Sequence, residues 1–355
     1  MKAFVLKSPG VVGWIDDAPE PVLQSRGAIL RPVAVSPCTS DVHTVFGGGS
    51  PKAPNLILGH ECVARVEQIG SEVQDFQVGD VVAVPAITPD WRALAIQDGN
   101  FCHAGRPFSG HQLGRTMPGV FAERFAIPDA DTTLAKIPEN VTLEQALMCV
   151  DVVTTGFTAA ECGNIKFGDV VCVMGIGAIG LMAICGARCM GAGRIIAVGS
   201  RPHCQQLALE YGATDIVDYK QCNTVERVLE LTNGLGVDAT LIAGGDDVVL
   251  EQAYQITKYG IGTISNVNYF GGTGNLPVPK FSGGKGMCGK TLRMELARGG
   301  RARIERMLAM CQFGRINPQK LVNHVMTGMD KIGDALLLMR DKTLPVIKIM
   351  VKYDE

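Results

Sequence analysis

Two patterns of hydrophobic spacing follow one another along the chain. Up to about residue 140, apolar residues come in short runs cut by Gly and Pro. AILRPVAVSP is bounded by Gly27 and Pro37, ECVARVEQIGSEV alternates in part and breaks at Gly70, and DFQVGDVVAVPAI turns at Gly79-Asp80 before a Val-rich stretch. Short strands with this punctuation predict a compact β-rich domain of barrel type. Residues from about 88 to 120 carry no clear period but hold Trp91, Cys102, His103, His111 and several Gly and Pro. They predict a long ordered loop lying over other structure.

From about residue 142 the period changes. Thr142 with Gln145 three residues on has the spacing of a capping box and predicts a helix start. Val170 to Met174 predicts a buried strand, the glycine loop 175–180 a turn, and LMAICGARCMGA an apolar helix. Arg194 to Val198 reads as the next strand and Gln205 to Tyr211 as helix. ATDIVDY, DATLIAGG and GTISNVNYF supply further strands, separated by helical stretches such as VERVLELTN. Regular alternation of strand and helix predicts a doubly wound parallel sheet of Rossmann type. After about 296, a helix (RARIERMLAMCQF) and a last strand (PVIKIMVKY) are expected to rejoin the first domain. The expected boundaries are 1–153, 154–295 and 296–355.

Composition narrows the class. With 355 residues, 46% hydrophobic, 19% charged and 43 Gly, the chain is globular and loop-rich and has room for two cores. A formal charge of −2 gives no long-range pull toward nucleic acid or anionic lipid. No basic run interleaved with aromatics suggests nucleic-acid binding. The apolar start MKAFVLK is broken by Ser8, Pro9 and Gly10, and no apolar run is long enough for a membrane span, so neither a secretory leader nor a membrane anchor is expected. The 12 Cys are scattered, without a Cys-x-x-Cys pair, which fits a reducing, cytoplasmic compartment. Cys185 and Cys189, four apart on a predicted helix, read as packing residues.

Gly175-Ile176-Gly177-Ala178-Ile179-Gly180 follows a strand and opens a helix, the context a dinucleotide fingerprint requires. Gly175 permits the tight turn, Gly177 presents no Cβ to the pyrophosphate, and Gly180 lets helix and strand approach. The phosphates would lie at the helix N-terminus, where free N–H groups favour anions. NAD-binding folds place an acid about 20 residues on, against the ribose 2′-hydroxyl. Here Val198 is followed by Gly199-Ser200-Arg201. Gly199 leaves room, Ser200 can donate a hydrogen bond and Arg201 can pair with a 2′-phosphate. This predicts NADP(H) as cofactor, with Tyr219 as a further flanking residue.

Cys38, Gly59-His60-Glu61 and Asp151 offer a thiolate, an imidazole and carboxylates. That set suits Zn²⁺, and a site with three protein ligands keeps the fourth position open. Pro37-Cys38-Thr39-Ser40-Asp41-Val42-His43, Leu58-Gly59-His60-Glu61 and Val78-Gly79-Asp80 together resemble the zinc-containing medium-chain alcohol dehydrogenases. Asp151-Val152-Val153-Thr154-Thr155-Gly156-Phe157 and Val198-Gly199-Ser200-Arg201-Pro202 are similar to the microbial NADP-dependent secondary-alcohol dehydrogenases. The resemblance runs on through Asn266-Val267-Asn268-Tyr269-Phe270 and the glycine-rich stretch near 299.

This resemblance implies a GroES-like catalytic domain beside the Rossmann domain, with Cys38, His60 and Asp151 as ligands of one catalytic zinc. Glu61 would stand beside the metal or serve as an alternate ligand. Ser40 would take the alcohol proton and His43 would pass it toward solvent. In many relatives the third ligand is a Cys four residues before a Thr-Gly. Asp151 has that spacing to Thr155-Gly156, and Cys149 does not. His111 stands where relatives carry a bulky pocket residue, with Ala86, Trp91 and Tyr269 as further pocket candidates. The implied substrates are small alcohols, ketones and aldehydes, and the implied assembly is a homotetramer.

Two positions depart from the family pattern. Ala64 replaces a Gly usual three residues after the glutamate. Between 88 and 120 Cys102 is the only Cys, too few for the four-Cys structural zinc of many relatives, so a single zinc per chain is expected. A zinc-free quinone or enone reductase of the same superfamily would lack the Cys38–His60–Asp151 set. A non-catalytic NADPH-binding protein would have no use for Ser40 and His43.

Overall fold

The structure is a computed structural model that describes residues 1–47, 55–103, 108–271, 274–276, 278–341 and 344–354. The chain divides into two compact units, Met1–Thr154 with Arg298–Glu355, and Thr155–Ala297.

The first unit is built on strands. Its larger sheet runs in the order Val322–Thr327, Lys348–Lys352, Ala28–Ser36, Glu61–Ile69, Val81–Val84, Ala135–Lys136, with Phe125–Ile127 also pairing with Ala28–Ser36. A three-stranded sheet joins Val11–Ile15, Ala3–Ser8 and Leu56–Ile57. β-Branched and aromatic residues on one face of these strands close the core around Leu30, Val66, Val82, Phe121 and Phe125. The antiparallel pairing of Ala28–Ser36 with Glu61–Ile69 has Ser36 opposite Glu61. The residues that leave the first strand, Pro37 and Cys38, therefore lie beside those that enter the second, His60 and Glu61. Ala64 lies within this pairing, opposite Pro32 and fully buried, where the register shifts between Pro32 and Ala34. The described part of 88–120 is loop, apart from one short turn at Leu94–Ile96 and a bridge between Leu113 and Met117. The predicted capping box is present, with Thr142 and Gln145 exchanging bonds of 3.0 and 3.2 Å between side chain and backbone.

The second unit has a six-stranded parallel sheet, ordered Asp215–Val217, Arg194–Val198, Val170–Met174, Ala239–Ile242, Thr263–Asn266, Thr291–Met294. The chain runs outward from Val170–Met174 in one direction, then resumes on its other side at Ala239–Ile242. The sheet is thus doubly wound, as expected, and ligands of such sheets bind where the strand order reverses. The strand Val170–Met174 leads through the glycine loop into the helix Ala178–Cys189, buried from Gly180 to Ala187; Cys185 packs inside and Cys189 is exposed. The helix expected from Gln205 starts earlier, at Pro202, because proline's fixed φ and missing N–H suit a first turn. Among the described residues no helix is long and apolar enough to cross a membrane.

Candidate metal centre and cofactor loop

Cys38, His60, Glu61 and Asp151 converge in the first unit, each offering a ligand atom within 4.8 Å of the others. The paired strand ends supply the first three. Asp151 comes from elsewhere, on a single π-helical stretch, Cys149–Val153, inserted between the helices Leu143–Met148 and Thr154–Cys162. One extra residue in a helical turn swings a side chain out of its α-helical position, and such turns recur at functional sites. The stretch is fixed at both ends: Ala86 N donates to Val150 O at 3.1 Å, and Thr154 Oγ1 donates to Arg298 O at 2.6 Å and accepts from Arg303 Nε at 3.0 Å. Cys149 is turned away, its Sγ 3.6 Å from Cys311 Sγ in the core.

Gly59 makes the turn possible. Its φ is +90°, and a Cβ there would lie 2.3 Å from the Phe121 ring, so no other residue fits. His60 is then held by a residue to which the sequence reading gave no role. Buried Asp41, in the first turn of the helix Thr39–Phe46, accepts from Cys38 N at 2.8 Å through Oδ2 and faces His60 Nδ1 at 3.3 Å through Oδ1. One carboxylate thereby caps the helix, fixes the Cys38 backbone and orients the imidazole. With Nδ1 engaged, Nε2 is left toward the cluster, 3.8 Å from Asp151 Oδ2 and 3.2 Å from Ser40 Oγ.

A second unassigned residue completes the surroundings. Lys348, buried at the start of the last strand, reaches Glu61 Oε1 at 2.6 Å and Pro37 O at 3.2 Å. Burial works against its charge, but the Glu61 carboxylate more than offsets this and raises its pKa. Burial raises the Glu61 carboxyl to about 7 against the pull of Lys348. The 2.6 Å contact is that of a charge-assisted bond, so the proton rests on Lys348. Glu61 Oε2 is enclosed without a hydrogen-bond partner.

The donors fit a zinc ion. Cys38 Sγ lies 3.7 Å from Asp151 Oδ2, long for a strong hydrogen bond, whereas Zn–S and Zn–O bonds at tetrahedral angles set ligands about 3.5 Å apart. Burial holds the Cys38 thiol up. Burial would lower His60, but Asp41 keeps it well above its usual value. A cation held by Cys38 and His60 would displace both protons, and the Asp41 contact is the support a ligating imidazole ordinarily has.

Of the other candidates, His43 is exposed on the helix that carries Ser40, one turn further on. His111 is half-buried with its ring edge-to-face on His60, centroids 4.8 Å apart; desolvation, with help from the neighbouring His60, pushes it down to about 3. Ala86 is buried, and Trp91 packs on Gly300. His103 accepts from Phe108 N at 3.1 Å, away from the cluster, and Cys102 is buried.

In the second unit, three neighbouring strands end together. Gly175 has φ +87°, and a Cβ on Gly180 would meet Gly175 O at 1.9 Å, so turn and helix close only with glycine. Gly199 N donates to Val217 O at 3.0 Å and Gly175 N to Val198 O at 3.1 Å. Ile176 packs over Gly199, where a Cβ would lie 2.1 Å from its side chain. The room at Gly199 is therefore taken by Ile176. The guanidinium of Arg201 lies over the loop, 3.5 Å from where a Gly177 Cβ would stand. Ser200 is half-buried beside it, while Tyr219 and, further along the chain, Tyr269 are exposed.

A buried Cys/His/carboxylate cluster in one unit and a glycine loop at the switch point of a parallel sheet in the other define a dinucleotide-dependent metalloenzyme class. Residues 24–139 match the alcohol dehydrogenase GroES-like domain, and residues 178–312 match the zinc-binding dehydrogenase domain. The chain is 49% identical to the NADP-dependent isopropanol dehydrogenase of Thermoanaerobacter brockii over 99% of both chains. It is 48% identical to that of Clostridium beijerinckii, again over 99% of both. Among solved structures, the alcohol dehydrogenase TADH from Thermus sp. ATN1 superposes with a TM-score of 0.86 at 27% identity over 99% of each chain. The chain belongs to the zinc-binding alcohol dehydrogenase family.

Proposed function

We propose that this protein is a zinc- and NADP(H)-dependent dehydrogenase interconverting secondary alcohols and ketones. The convergence of Cys38, His60 and Asp151, with Asp41 behind the imidazole, is the observation that carries the proposal. Cys38, His60 and Asp151 would hold the metal, with Glu61 beside it. Bound zinc supplies a Lewis acid toward the alcohol or carbonyl oxygen, and the nicotinamide supplies the hydride acceptor or donor.

The chain's own residues orient the substrate and manage the proton. Ser40 Oγ lies 3.2 Å from His60 Nε2, at the edge of the cluster, where a substrate hydroxyl can hand it a proton. His43, one turn on and exposed, can take that proton to water. Gly175, Ile176, Gly177 and Gly180 would cradle the pyrophosphate, and Ser200, Arg201 and Tyr219 would recognise the 2′-phosphate. No carboxylate follows Val198, and the guanidinium above Gly177 favours the phosphorylated cofactor. We assign 1–153 and 296–355 to catalysis and 154–295 to the cofactor. A homotetramer in the cytoplasm is the assembly and compartment that the family likeness and the free thiols support.

The test combines elemental analysis with steady-state kinetics. Zinc near one per chain is expected, with kcat/KM for NADPH at least about tenfold above NADH, as one lost charged hydrogen bond would give. Cys38→Ala should lose zinc and turnover together. Preference for NADH, or full turnover by a metal-free Cys38→Ala protein, would refute the assignment.

A further inference from the structure

We propose that His111 recognises a hydroxyl group on the carbon next to the reacting one, so that α-hydroxyketones and vicinal diols are the preferred substrates. The proposal rests on the dehydrogenase assignment above and sharpens it to a substrate class.

His111 is an expensive residue for its place. Its half-buried ring stands edge-to-face against that of His60, with centroids 4.8 Å apart, yet its Nε2 is shielded from solvent and has no hydrogen-bond partner. A phenylalanine or leucine would fill the same space with no polar atom to desolvate. Buried polar atoms in folded proteins are nearly always paired, and an exception calls for an explanation. The described residues next to His111 are tied by hydrogen bonds. Gly110 N donates to Cys102 O at 2.8 Å and Thr88 N to Gly110 O at 2.7 Å. His111 N donates to Phe108 O at 3.0 Å, and Gln112 Nε2 to Thr88 O at 2.7 Å. The imidazole is thus presented by a fixed backbone at the rim of the Cys38–His60–Asp151 cluster.

The missing partner is then a group that arrives with the substrate. Because the His111 ring touches the ring of a proposed metal ligand, a substrate whose reacting oxygen lies at the cluster brings its neighbouring carbon alongside His111. A hydroxyl on that carbon both donates and accepts, so it pairs with Nε2 in either tautomer of a neutral imidazole. A methyl group there leaves Nε2 unpaired. Sites built to hydrogen-bond a substrate hydroxyl discriminate against the analogue that lacks it far better than apolar pockets discriminate by size.

The experiment measures kcat/KM with NADPH for hydroxyacetone and acetone, and for 3-hydroxybutanone and butanone, on the zinc-loaded enzyme. Calorimetry with NADPH present compares the unreactive pair glycolamide and acetamide. Wild type should favour the hydroxylated member of each pair by about tenfold or more, the worth of one good hydrogen bond, in binding as well as turnover. In His111→Phe the ratios should fall close to one, with zinc content retained. His111→Gln, which keeps a polar group, should recover part of the preference. Ratios near one in wild type, or a preference that survives His111→Phe, would overturn the role of His111 while leaving the dehydrogenase assignment standing. Absence of turnover with every ketone would overturn both.

Discussion

Lys348 couples the metal cluster to the last strand of its unit. It interrupts an apolar run, Val346-Ile347-Lys348-Ile349-Met350, and is buried together with its partner Glu61. Two buried charges at 2.6 Å are costly to create but more costly to separate. Replacing Lys348 with Met removes one charge and leaves the other in the core beside Asp151. The expected loss is about 3–5 kcal/mol of unfolding free energy, read from urea midpoints of the zinc-loaded protein. Lys348→Met combined with Glu61→Gln should recover a substantial part, because no charge is then stranded. Equal losses in the single and double variants would show that Lys348 contributes through packing rather than through Glu61. Asp41 acts at the same scale, one carboxylate serving a helix cap and an imidazole.

At the scale of elements, the second unit was legible because its physics is local. A strand of β-branched residues, a glycine turn and an apolar helix follow one another, and the doubly wound sheet results. Its edge also shows how neighbouring strands are tied by charge. Arg194 donates to Asp215 from Nε and Nη2, both at 2.8 Å, across adjacent strands. The Arg194 hydrogen bond holds the Asp215 pKa below its usual value against partial burial. A depressed carboxylate stabilises the fold at any pH above its unfolded value, near 3.9 for Asp, and loses that effect as pH falls through the folded value. Asp215→Asn should therefore cost up to about 1 kcal/mol, discounted for solvent screening. The cost should be constant from pH 7 to about pH 5 and shrink below about pH 4. Denaturant titrations of both proteins across that range check it; a cost that grew on acidification would reverse the sign assigned to Asp215.

The first unit was less legible for the opposite reason. Its strands are short, and the hairpin Ala3–Ser8 with Val11–Ile15 hides behind Ser8, Pro9 and Gly10, residues that mark only a break in the sequence. Cys38, His60 and Asp151 could be picked out by residue type and spacing. Asp41 and Lys348 could not be assigned, because their roles depend on pairings across the sheet that no local period announces. One clue was available for each: an Asp three residues after Cys38, at a capping position, and a lone Lys inside an apolar strand, where an unpaired charge is rarely tolerated. Asp151's π-helical turn has no such mark at all, since a single inserted residue leaves the helical pattern on either side intact.

For the whole molecule, the two units have separate cores, one around Leu30, Phe121 and Phe125, the other around Met174, Ile196 and Ile242. The proposed metal ligands lie in the first unit and the proposed phosphate loop in the second, so the two cofactors should stabilise different parts of the chain. A ligand that binds only the folded state adds about 2.7 kcal/mol when present at about 100 times its Kd, and amide hydrogen exchange locates where that protection falls. Chelation of zinc should speed exchange in peptides spanning residues 36–43, 58–64 and 149–153. NADP⁺ added to the chelated protein should slow exchange in peptides spanning 174–181 and 198–204, even while the first set stays fast. The contrast follows from the covalent origin of each site: Cys38, His60 and Asp151 reach one point from three stretches of the first unit, tied to it by Asp41, Lys348, the turn at Gly59 and the bonds at Val150 and Thr154, and a cation would join the three directly. Residues 175–180 are held by Gly180 against Gly175 and by bonds to Val198, independent of metal. Chelation that loosened both sets equally, or NADP⁺ that restored the first set, would mean that metal and dinucleotide stabilise one cooperative structure rather than two.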